Sequence, residues 1–174
     1  MSEQPDVETP LDTKFLSIYL DDHVAGATAG LHRVRRMASA YADTPVGELL
    51  RPFPAQFVEE RKFLMATTRA LGIHVSRYKM VLAKTGERVG RLKPNGRLFR
   101  DSPMGALLET ELLRGAVTGK LSGWQTLGVL PPGAPVDRER LAQMQAQATT
   151  QYDVLTEVLT RLRPAVARRG VSED

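Results

Sequence analysis

The chain has no cysteine in its 174 residues. That absence excludes disulfides, thiolate-ligated zinc, iron–sulfur clusters and thiol nucleophiles. Aromatic residues make up only 6 % of the sequence, with a single tryptophan, which disfavours base-stacking surfaces and carbohydrate platforms. No apolar run approaches the ~20 residues of a membrane-spanning helix. The opening residues, MSEQPDVETP, are acidic and polar rather than a secretory or transit leader, so a cytoplasmic location is expected. Alternation of β-branched residues is nearly missing as well, which argues against sheets.

What the sequence has is helical periodicity. Residues 1–12 read as a disordered lead-in, residues 13–168 as one helical-bundle domain, and residues 169–174 as a frayed tail. Asp12 or Thr13 can cap a first helix that runs unbroken by proline to Tyr41. Thr44-Pro45, Pro52 and Pro54 punctuate the link to a second helix over 55–71, which Gly72 ends. A shorter helix is expected over 75–89, followed by a turn at Lys93-Pro94-Asn95-Gly96. Asp101-Ser102-Pro103 opens a helix to about Leu127, and Asp137 caps a last helix that Pro164 kinks or ends. The expected class is all-α: a ferritin-like four-helix bundle with a long central crossover and one extra short helix.

Two stretches, YLDDHVAGATAG at 19–30 and RLKPNGRL at 91–98 followed by Ser102-Pro103, resemble uncharacterised bacterial (actinobacterial-type) ferritin-like helical-bundle proteins. The likeness extends over residues 15–163. It implies a fold and carries no catalytic residue.

Charge is concentrated. The whole chain carries +4, yet residues 77–100 hold eight bases against the single acid Glu87. The bases are Arg77, Lys79, Lys84, Arg88, Arg91, Lys93, Arg97 and Arg100. Such a segment suits nucleic acid or an acidic partner, with contacts mostly to phosphate and therefore sensitive to salt. A solvated helix face followed by a solvated loop is the plainer reading and is preferred to any ligand.

Two glycine rows at i,i+4 spacing stand out, each headed by a carboxylate: Asp22, Gly26 and Gly30 in the first helix, and Glu111, Gly115, Gly119 and Gly123 in the fourth. Each helical glycine costs about 1 kcal/mol relative to alanine, so the rows require a reason. Close packing of helix against helix is the plain one. It places Gly26 and Gly30 near Gly115 or Gly119, and makes Gly26→Leu an overpacking substitution. Space for a bound molecule is the alternative.

A ferritin-like bundle raises the question of a di-metal carboxylate centre, which uses a Glu-x-x-His motif on two helices. None of the three histidines stands three residues after a glutamate. A non-standard set of Asp22, His23, Glu60 and Glu111 is the metal-binding alternative, with an oxidoreductase function. Gln143, Gln147 and Gln151 form a further i,i+4 row, read as a solvated flank or as a surface buried against another chain. Trp124 reads as a core or interface anchor. The expected function is therefore a non-enzymatic binding or scaffold module without a cofactor, homodimeric by analogy with other bundles, with neither membrane nor catalytic residues assigned.

Overall fold

The computed structural model describes residues 13–75 and 103–168. Among these residues every regular element is helical: α1 Thr13–Ala40, α2 Pro45–Leu50, α3 Phe53–Ala70, α4 Pro103–Gly128 and α5 Arg138–Arg168. Beyond Val75 the expected helix over 75–89 lies outside the described residues, as do the turn at 93–96 and the basic residues from Arg77 to Arg100. No described helix is long and apolar enough to cross a membrane.

The four long helices match the periodicity of the sequence, and α2 is the addition to it. Thr44 caps α2, its hydroxyl accepting a hydrogen bond from the Gly47 amide at 3.2 Å, and Pro45 takes the first turn. Thr44-Pro45 is thus a helix start as well as a break. Gly47 has no room for a side chain, since a Cβ there would stand 1.9 Å from the Tyr41 carbonyl oxygen. α5 does not stop at Pro164 but continues to Arg168. A proline there forfeits one backbone hydrogen bond, at an exposed position near the helix end where neighbouring turns carry the strand of bonds onward.

Side-chain pairs fix the helix directions. Arg61 reaches Thr28 while Gly30 faces Phe57, so α1 runs antiparallel to α3; Gln145 reaches Trp124 while Arg114 reaches Thr156, so α4 runs antiparallel to α5. Tyr19 pairs with Thr126 while Arg36 pairs with Glu109, so α4 is also antiparallel to α1. α3 and α4 therefore run the same way. The core between them is apolar: Leu20, Val24, Val34, Leu113, Val117 and Leu155 are fully buried. The α4–α5 turn is held by Arg138, whose guanidinium donates to the carbonyls of Leu127, Gly128, Leu130 and Pro131 at 2.7–3.3 Å. Leu127 and Gly128 belong to the last turn of α4, where carbonyls lack intrahelical donors, and Leu130 and Pro131 to the loop that follows.

Candidate functional site

A cavity of about 280 Å³ lies between α1, α3 and α4. It extends from Asp22, Leu64 and Trp124 at one end to Gly30, Phe57 and Ala116 at the other. Eight residues of α4 separate Trp124 from Ala116, so the slot is about 12 Å long at the helical rise per residue. Its walls are predominantly apolar. Gly26 and Gly119 are both exposed and line it, which places the mouth along the α1–α4 seam.

The glycine rows explain the opening. A Cβ built at Gly26, Gly115 or Gly119 would meet nothing within 4 Å. Gly26 therefore does not pack closely against Gly115 or Gly119, and the overpacking expected of Gly26→Leu has no structural basis. Gly30 is in ordinary contact with α3, its Cβ position lying 3.4 Å from the Phe57 ring. Gly123 alone of the α4 row is tight: a Cβ there would lie 2.5 Å from the His23 ring. Missing side chains thus leave a seat for an imidazole at Gly123 and an open slot at Gly26 and Gly119.

His23 ties the two walls together at that seat. Its Nδ1 lies 2.9 Å from the Tyr19 carbonyl oxygen and its Nε2 lies 3.3 Å from the Gly119 carbonyl oxygen. Carbonyls only accept, so either contact is made by a ring N–H of His23. The Tyr19 ring sits 4.1 Å from the imidazole, and the Tyr19 hydroxyl is 3.0 Å from Thr126 Oγ1.

Midway along the slot, its interior wall carries a buried ion pair. Lys120 Nζ donates to Glu60 Oε2 at 2.5 Å, and the two side chains are 13 % and 3 % exposed. Lys120 also donates to Gln151 Oε1, and its Nζ stands 3.9 Å from the centroid of the Phe57 ring. Glu60 Oε1 accepts from Gln147 Nε2 at 2.7 Å and from Gln151 Nε2 at 2.9 Å. Gln151 Nε2 lies within 2.9 Å of Gln56 Oε1 too. Desolvation makes isolated interior charges expensive, and here each has an opposite charge and amide partners. Burial pushes the Lys120 ammonium below the ordinary lysine range, while the Glu60 carboxylate opposes that shift.

The structure brings Asp22, His23 and Glu60 to one cavity, but leaves Glu111 exposed and outside its lining. Among the described residues, no group of three or more His, Asp or Glu side chains is placed to hold a metal ion. The reason is visible at the donors: Glu60 is engaged by Lys120, Gln147 and Gln151, and His23 faces two backbone carbonyls. The glutamine row divides between interior and surface. Gln147 and Gln151 enter the bundle interior, whereas Gln143 accepts from Arg140 at the surface. Trp124 is buried, its ring 5.7 Å from that of Phe63, and it lines the slot.

Lys120, Gln147 and Gln151 complete the site as partners of Glu60, a role that their own positions in the sequence do not mark. The two glutamines stand out in the sequence only as part of an i,i+4 amide row beside the apolar stripe of α5, and Lys120, on α4, belongs to no such row. No protein-family model, curated protein or solved structure matches this chain.

Proposed function

We propose that this chain is a helical-bundle binding protein whose α1–α3–α4 slot takes one small, neutral, mainly apolar molecule. A ferritin-like arrangement is part of this reading. It is supported by α3 and α4 running in the same direction, so that the end of α3 and the start of α4 lie at opposite ends of the bundle. The observation that carries the binding reading is the open space at Gly26 and Gly119 beside an apolar cavity of about 280 Å³. Neither glycine is required by packing, and each weakens its helix by about 1 kcal/mol, so the vacancy itself is the feature with a use. Apolar pockets with a few convergent polar groups are the usual form of small-molecule sites.

The charges along the walls favour a neutral ligand over an ion. Lys120 and Glu60 neutralise one another, and Asp22 and Arg61 add one charge of each sign to the lining, so a charged guest would find no net counter-charge in a mainly apolar slot. Benzyl alcohol is a suitable probe, and Trp124, the only tryptophan, is the reporter. Titration should give a saturable change in tryptophan emission. Gly26→Leu and Gly119→Leu should each remove that response while thermal unfolding shows the fold retained. An unsaturable response, or binding that survives both filled variants, would overturn the reading.

A further inference from the structure

We propose that Lys120 is a carbonyl-capture site, at which Nζ forms a reversible imine with an apolar aldehyde held in the slot. The inference rests on the slot being a ligand site and names the chemical class that it would take. Lysine amines become nucleophiles when they are desolvated in an apolar pocket and a neighbouring group can accept their proton. Both conditions meet at Lys120. Its side chain lines an apolar cavity and is almost wholly buried, with Phe57 beneath the amine. Glu60 Oε2 is in hydrogen-bond contact with Nζ, the right place for a base to receive a proton. Burial further lowers the proton affinity of the amine, although the carboxylate partly restores it.

The step balances without an added reactant. Lys120 hands one proton to Glu60 and its nitrogen lone pair attacks the aldehyde carbon, giving a carbinolamine. The carbon–oxygen bond then breaks, and the oxygen leaves as water with two of the three hydrogens first carried by the ammonium. Ammonium plus aldehyde thus yields a protonated imine plus water. The positive charge is conserved, and the iminium N–H stays opposite the Glu60 carboxylate. Gln147 and Gln151 hold that carboxylate through its other oxygen and are positioning residues.

The test combines benzaldehyde with borohydride on the full chain and maps the trapped benzyl group by peptide mass spectrometry. Labelling should fall on Lys120 ahead of Lys62, whose side chain is 66 % exposed. Lys120→Arg keeps the charge and should lose that label, and Glu60→Gln should slow it. Benzyl alcohol binding without a label at Lys120 overturns the capture site and leaves the slot reading standing. Preferential labelling of Lys62 or Lys14 also overturns capture, and failure of both probes to bind overturns both readings. Because the position is read in the unaltered chain, a variant that fails to fold does not shelter the proposal.

Discussion

The two faces of α4 contrast. Toward α5 and the core, Leu113, Val117 and Leu127 are fully buried, and Arg138 grips the carbonyls at the helix end. Toward α1, the same helix presents Ala116 and Gly119, both exposed beside a gap. Side-chain volume makes the difference. Branched and aromatic residues interdigitate with their neighbours to near-crystalline density, whereas a residue without a side chain leaves space that neither wall fills. Lys120 stands at the boundary, one residue beyond Gly119, and brings charge to an otherwise apolar wall. One helix therefore serves as a load carrier on one side and as the wall of a slot on the other.

That contrast breaks most readily on the closed face. Leu127→Ala should cost about 2–5 kcal/mol, because a fully buried leucine leaves a cavity that its neighbours only partly close. Chemical denaturation measures it, and benzyl alcohol binding by the folded fraction should be unchanged. A cost well under 1 kcal/mol would mean that the face is not packed as described.

The glycines sharpen the comparison, since identical substitutions should have opposite signs. Gly119→Ala should stabilise by up to about 1 kcal/mol, from helix propensity with no clash. Gly123→Ala should destabilise by about 1–3 kcal/mol, because the His23 ring must leave its seat. Thermal unfolding of the two variants side by side decides it. Equal shifts of the same sign would contradict the division of the row.

The smallest effect is the pH dependence at the boundary. The folded chain holds Lys120 below the ordinary lysine range of about 10.4, so between the two values the unfolded chain binds more protons. Stability from this group therefore rises with pH across that window, and its penalty is fully present below the lowered value. Compared with Lys120→Met, the unaltered chain should gain stability from neutral pH toward pH ~10. Stability curves that stay parallel would remove the burial argument at Lys120.

Most of the helical layout was legible in the sequence, because periodicity, caps and prolines act locally. The spans of α1, α3 and α4 follow from apolar spacing and from Gly72 and Pro103. α2 was hidden because Thr44-Pro45 reads equally as the end of one helix and the start of another. The site was less legible. The glycine rows were conspicuous, but whether glycine marks contact or vacancy depends on the distance to the facing helix. No spacing within a single helix encodes that distance. Glu60 entered as a metal ligand by its chemical type, yet its partners come from α4 and α5.

The sequence by itself determined an all-helical chain without thiol chemistry, its long helices and the local i,i+4 rows, since each depends on residues a few positions apart. Tertiary structure alone decided that Gly123 seats His23 while Gly26 and Gly119 open a slot. It also decided that Lys120 meets Glu60 across 60 residues of chain and Gln147 meets Glu60 across 87. The physical reason is that packing and charge pairing depend on the offset and separation between helices. Those are set by the whole core settling at once and are not written in any one helix.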